Sequence, residues 1–125
     1  MASSHLKLAL TYDVQQLRRE LKHCLGKQWP LHFNNFDYEG DWRSISLRSA
    51  SGNMDDIFAH SGDMGYVDTP LMAEVDYIRS VVDSWKCEKE SVRLLALSPG
   101  SVIKPHKDRG CSYLDGSFRI HIPIL

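Results

Sequence analysis

The stretch that most constrains this chain is VRLLALSPGSVIKPH, residues 92–106. Residues 92–97 are apolar enough for a buried strand. Ser98-Pro99-Gly100 is a turn signal, because proline pre-sets one backbone angle and glycine permits a positive φ. Residues 101–106 read as the returning strand, and Pro105 disfavours helix for Lys104 and keeps the approach extended. A chain that places such a pair late in its length calls for an antiparallel sheet and for something to cover it.

The cover comes from earlier residues. Residues 13–26 read as a helix: Asp13 can cap it, Gln16 stands three later, and Gly26 supplies a stop. Val14, Leu17, Leu21 and Leu25 fall on one stripe, which needs a surface to bury against, most often a sheet. Thr69-Pro70 opens a second helix with proline in its first turn, and Leu71, Val75, Ile78, Val82 and Trp85 form its apolar side. Between the helices, residues 42–49 (WRSISLRS) alternate. Ile45 and Leu47 point one way, and Trp42, Ser44, Ser46 and Arg48 the other. Residues 50–68, rich in Gly, Ser, Asn and Asp, read as a long loop, and residues 109–117 as a shorter one. The last eight residues, FRIHIPIL (118–125), alternate again, with Arg119 and His121 on one face and Ile120, Ile122 and Ile124 on the other. Helices first and strands later predict an α+β fold with an antiparallel sheet.

Size and charge narrow the function. A chain of 125 residues suits one domain spanning 1–125. Fifteen basic against sixteen acidic side chains argue against a nucleic-acid coat or a polybasic membrane patch. No apolar run approaches the roughly 20 residues of a membrane span, and the N-terminus lacks a signal-peptide pattern. Cys24, Cys87 and Cys111 are odd in number and far apart, which fits reduced thiols in a cytoplasmic protein.

The chemistry-bearing candidate is the pair His106 and Asp108. Side chains at i and i+2 of an extended segment leave the same face, so an imidazole nitrogen and a carboxylate oxygen can meet at one point. Those donors are two-thirds of the facial triad that holds non-haem Fe(II). A solvated loop pair is the bland alternative. The preceding strands, the Gly-containing loop that follows and the shared face of Arg119 and His121 add weight to the site reading, since Arg and His side chains that become buried need anionic or polar partners.

With those residues in view, the chain resembles the aspartyl/asparaginyl β-hydroxylase family of Fe(II)/2-oxoglutarate-dependent dioxygenases, which includes the bacterial proline cis-hydroxylases. The matching pieces are EGDWRSISL (39–47), the Thr69-Pro70 helix start, VRLLALSPGSVIKPHKD (92–108) and FRIHIPIL (118–125). The resemblance implies a double-stranded β-helix, a jelly roll with helices outside one sheet. It implies His106 and Asp108 as two of three iron ligands, and Trp42, Arg119 and His121 around the co-substrate, 2-oxoglutarate, and the substrate. The implied reaction hydroxylates an amino acid or an aspartyl, asparaginyl or prolyl residue. Where some relatives carry a serine that helps hold the co-substrate, this chain has Leu95.

The family's third ligand, a histidine, and its 2-oxoglutarate-clamping arginine come later in the chain than His-x-Asp. Leu125 is the last residue here, so the expectation is the N-terminal portion of a longer jelly-roll domain, inactive by itself. An incomplete roll would expose a sheet edge and invite self-association. The alternative function is a non-catalytic jelly-roll module that binds a small anion through Trp42, Arg48, Arg119 and His121. Lesser candidates are His60 with Asp63, read as a polar loop; Arg93, read as structural; Cys111, read as a bystander; and Trp29 and Trp85, read as core.

Overall fold

A computed structural model of the chain describes residues 8–31, 38–57, 65–103 and 119–124. The elements run α1 (Val14–Leu25), β1 (Tyr38–Glu39), β2 (Trp42–Ser49), β3 (Val67–Asp68), a 3₁₀ turn (Pro70–Glu74), α2 (Asp76–Asp83), β4 (Val92–Leu97) and β5 (Val102–Ile103). The fold is α+β. Its main sheet is antiparallel with order β3-β2-β4, and β1 and β5 form a separate two-stranded ladder. The main sheet is neither closed nor curled, so the described residues show no double-stranded β-helix.

β2 is the organising strand. On one edge it pairs with β4 from Trp42↔Leu97 to Arg48↔Val92, with a bulge between Ser46 and Arg48. Its other edge is also bonded. Ser44 N–H donates to the Pro30 carbonyl (3.1 Å), Ser46 N–H donates to the Met54 carbonyl (2.8 Å), and the Leu47 carbonyl accepts from Thr69 N–H (2.9 Å). The loop predicted over 50–68 therefore ends in a short strand and sends Met54 back to the sheet.

The helices cover one face of this sheet. Leu17 and Cys24 of α1, Leu71 and Met72 of the 3₁₀ turn, and Val75 and Ile78 pack with Trp29 against Ile45, Leu47 and Leu94. In α1 the buried line is Leu17, half-buried Leu21 and Cys24, spaced i, i+4, i+7. Val14 and Leu25, expected on that stripe, are exposed at the helix ends. A reduced cysteine behaves as a small apolar residue, so Cys24 fills the place expected of Leu25. The second predicted helix is broken: Val75 leaves helical geometry (φ −130°, ψ 73°) between the 3₁₀ turn and α2. The break shifts the helix phase, so Val81 is buried while Val82 and Trp85 are only partly so.

Polar clamps fix the two helices together. Asp13 caps α1, accepting from Gln15 N–H (3.1 Å) and Gln16 N–H (3.2 Å). Gln16 donates its side-chain amide to the same carboxylate (2.9 Å), and these bonds, that of the Gln16 side chain first, hold the Asp13 carboxyl below its usual range. α2 begins at Val75, which has no side chain able to cap it. Glu20 of α1 does so instead, accepting from Tyr77 N–H and Ile78 N–H at 2.8 Å each. The placement satisfies orphan donors and sets negative charge at the positive end of a helix.

The Ser98-Pro99-Gly100 turn forms as predicted: Ser101 N–H donates to the Ser98 carbonyl (3.0 Å) and Gly100 has φ +81°. It does not make a hairpin, because β5 pairs with β1 and not with β4. β1 runs into β2 through Gly40 and Asp41, and Ser98 N–H donates to the Asp41 carbonyl (3.0 Å). Trp42 pairs with Leu97 and Glu39 with Val102, so three steps on one side match five on the other. The turn is thus two extra residues inserted into one long ribbon. Gly40 is required opposite it: its φ is +96°, and a Cβ there would lie 2.1 Å from Ser101 Oγ.

The predicted C-terminal strand is not a strand over the described residues 119–124. Its alternation survives in part. Ile122 and Ile124 pack against the helix-side core, while Arg119, Ile120, His121 and Pro123 are exposed. Arg18 of α1 donates through Nε to the Ile124 carbonyl (3.3 Å), so side chains and one backbone bond hold the segment there. Proline at position 123 offers no N–H to a ladder.

Candidate functional site

β2 and β4 bring one set of predicted residues onto the face away from the helices. Directly paired residues of an antiparallel ladder point the same way, so Trp42 stands beside Leu97, Ser44 beside Leu95 and Ser46 beside Arg93. This face was expected to be polar and lining. It is instead deeply buried along β2: Trp42 is 8 % exposed, and Ser44 and Ser46 are fully buried. Leu95 and Leu97 on the neighbouring strand are 44 % and 45 % exposed. Serines are small enough to sit inside, which an alternation of Ser with Ile and Leu conceals.

The Ser46–Arg93 pair works as a unit. Ser46 Oγ donates to the Asp56 carbonyl and Arg93 donates through Nη1 to the Ile57 carbonyl, both at 2.6 Å. The two side chains pin residues 56–57 to the sheet, which supports the structural reading of Arg93. Arg48 is similarly engaged: Nε donates to the Lys89 carbonyl and Nη1 to Asp68 Oδ1, each at 3.1 Å. An arginine holding two elements in this way is not poised for a substrate carboxylate, so it leaves the list of anion-binding candidates. Trp29 is core, as expected, and its indole N–H donates to the Cys24 carbonyl (2.8 Å). Trp85 is only half-buried.

Ser44 stands apart. The fully or nearly buried hydroxyl residues are Ser44, Ser46, Ser49 and Thr69. Ser49 Oγ donates to the Asn53 carbonyl (2.9 Å) and Thr69 Oγ1 to the Ser46 carbonyl (2.9 Å). Ser44 Oγ is buried with no hydrogen-bond partner. Nothing in a serine at the centre of a strand announces this from sequence; the signal is its register opposite Leu95.

Of the predicted site, His106 and Asp108 lie outside the described residues, as do His60, Asp63 and Cys111. Arg119 and His121 stand on the exposed side of a segment whose Ile122 and Ile124 join the helix-side core. Among the described residues, no three His, Cys, Asp or Glu side chains gather in a way that could hold a metal ion. Cys24 is no nucleophile: burial, then the nearby Glu74 and Glu20 carboxylates, push its thiol up to about 11.

A cleft of about 690 Å³ runs along the other edge of β2, between residues 28–31, Arg43 and residues 53–55. It contains none of the predicted site residues. Arg43 is held by Asp41 (Nε to Oδ1, 2.9 Å) and by the Trp29 carbonyl (3.0 Å). No described helix is long and apolar enough to cross a membrane.

No protein-family model matches this chain, and no curated protein matches it.

Proposed function

We propose that this chain carries part of an Fe(II)/2-oxoglutarate-dependent hydroxylase related to the aspartyl/asparaginyl β-hydroxylases and the proline cis-hydroxylases. The observation that carries the reading is the run from Arg93 through Leu97, Pro99-Gly100, Ile103 and Pro105 to His106 and Asp108, followed by Arg119-x-His121-x-Pro123. Two structural features support it. β4 leads through the Pro-Gly turn into β5, which ends at Ile103, and the sheet face away from the helices is covered at Trp42, as a second layer of a double-stranded β-helix would require.

The donor chemistry fits the metal. One imidazole and one carboxylate suit non-haem iron(II), with positions left for a co-substrate. When bound, iron supplies the oxidising chemistry: 2-oxoglutarate and O₂ yield succinate and CO₂, and the second oxygen atom becomes the hydroxyl of the substrate. The chain's own share is binding and shielding. His106 and Asp108 would hold the metal and Trp42 would provide an apolar wall that excludes water; Arg119 and His121, expected beside the co-substrate, stand on the segment that joins the helix-side core. The substrate is an amino acid or an aspartyl, asparaginyl or prolyl residue, and the setting is the cytoplasm. A metal-independent module for small anions is the second reading, favoured by the exposure of Arg119 and His121.

The test is succinate release from 2-oxoglutarate by the full-length protein with Fe(II). His106→Ala is expected to lower turnover by at least about a hundredfold, in line with the loss of a metal ligand. Equal turnover by the variant rejects the hydroxylase, and 2-oxoglutarate binding that ignores iron selects the anion module.

A further inference from the structure

We infer that the outer edge of β4 is a self-pairing surface: two copies of this chain join their β4 strands antiparallel about a two-fold axis at Ala96, so that their three-stranded sheets become one. The inference is independent of the hydroxylase reading.

The first support is the direction of the backbone groups. β4 is the end strand of the order β3-β2-β4, and among the described residues no strand pairs with its far side. Along a strand, successive residues turn their N–H and C=O groups to opposite sides. In β2, Ser44 and Ser46 N–H turn away from β4, to the Pro30 and Met54 carbonyls, so Arg43 and Ile45 are the residues that bond β4. Their partners Ala96 and Leu94 turn their backbone groups toward β2, as does Ser98, whose N–H donates to the Asp41 carbonyl at 3.0 Å. Leu95 and Leu97 therefore turn theirs outward. Their side chains, on the face away from the helices, are nearly half exposed.

What fits such an edge is an extended strand with uncharged side chains two positions apart. β4 is itself that strand. Laid antiparallel on its own copy with Ala96 facing Ala96, Leu95 of each strand lies opposite Leu97 of the other, and each such pair exchanges both N–H···O=C bonds. The Ala96 pair is a closely spaced one without hydrogen bonds, and a methyl group is small enough for it. Pairing stops at Pro99, which has no N–H to offer. Natural edges repel such contacts with lysine, inward charges or proline, and residues 94–97 hold none of these. The opposite end of the sheet is guarded, since β3 is two residues long and carries Asp68. Fifteen basic against sixteen acidic side chains leave little net charge to hold copies apart. A two-fold contact closes on itself, so the product is a dimer and not a fibre. A strand pair this short buries less than the roughly 1,200 Å² of a standard interface, so the dimer is reversible and depends on concentration.

Sedimentation equilibrium over a range of concentration, with amide hydrogen exchange resolved by residue, tests this. The wild-type mass is expected to rise from one copy toward two, and the Leu95 and Leu97 N–H groups to exchange more slowly as concentration rises. Leu95→Lys is expected to weaken association about tenfold or more, because it sets a charge in the apolar contact. Its dilute monomer should melt as wild type does, the side chain being exposed. Val67→Lys, at an exposed position of β3, is the control and keeps wild-type association. A wild-type chain still monomeric at about 1 mM overturns the inference. A dimer that Leu95→Lys leaves intact, or one whose Leu95 and Leu97 amides exchange as in the monomer, also overturns it. The exchange readout uses the unaltered chain and so stands whatever the folding of the variant. Each of these outcomes leaves the hydroxylase reading standing, since succinate release tests that separately.

Discussion

The two faces of β2 are both buried, yet they are built on opposite principles. Toward the helices, Ile45 and Leu47 meet Leu94, Leu17, Cys24, Leu71 and Val75 in an apolar layer whose side chains carry no unmet polar need. Away from the helices, Trp42, Ser44 and Ser46 alternate with the same period, but polar groups decide what happens there. Ser46 and Arg93 bind two successive carbonyls, and Ser44 binds none. Packing area is non-directional and holds a fold together. Hydroxyls and guanidinium groups are directional, and on the second face they hold residues 56–57 to the sheet.

The comparison breaks most readily on the helix side. Leu47→Ala removes a fully buried side chain from the core and is expected to destabilise by about 3–4 kcal/mol, through lost burial and the cavity left behind. Urea unfolding measures this directly, and a loss below 1 kcal/mol would mean that the helices do not depend on the sheet for their packing. A smaller effect sharpens the picture of how the helix layer is tied together. Glu20→Ala leaves the Tyr77 and Ile78 N–H groups without their cap and is expected to cost about 1–2 kcal/mol. Glu20→Gln, which keeps one acceptor, should recover part of that loss.

The smallest effect is on pH dependence. Asp13 and Glu74 both lie on the helix side and are held below their ordinary values of 3.8 and 4.5. Hydrogen bonds from Gln16 and from His23, respectively, are the first causes, with Lys27 adding to the second. Lowered carboxyl values mean that the folded state binds fewer protons than the unfolded chain in this range. The stabilisation is complete above the ordinary values and disappears as pH falls through the lowered ones. Denaturation midpoints should therefore decline from about pH 4.5 downward, and the decline should be shallower in an Asp13→Asn, Glu74→Gln double variant. Both groups are exposed, so the slope is modest and salt-sensitive.

Local patterns were legible in proportion to how little they depended on distant partners. The bounds of the strands at 42–49 and 92–97 and the Asp13 cap coincide with their sequence reading, because alternation, apolar runs and capping chemistry act within a few residues; the burial expected of 92–97 is met only at Leu94, while Leu95 and Leu97 are exposed. The partner of β5 was not legible. A Pro-Gly turn permits a hairpin, but β1 lies more than 60 residues earlier and its two residues carry no strand signal. The break at Val75 and the docking of Ile122 and Ile124 without a ladder likewise depend on tertiary contacts. At the site, Trp42 and Arg93 could be named from a motif. Ser44 lies in the same matching piece, residues 39–47, but nothing local singles it out, because its missing bond is set by packing.

The two-residue excess at Ser98–Ser101 has a consequence for how this ribbon can vary. Side chains alternate sides at every step, so an even surplus leaves the downstream chain in phase with the ladder it left, while an odd one turns it over. Loss or gain of a single residue between Leu97 and Val102 would exchange the two surfaces of β5, Val102–Ile103. Length changes at this corner should accordingly be tolerated in pairs and rejected singly, which makes the corner a parity lock on what β5 presents.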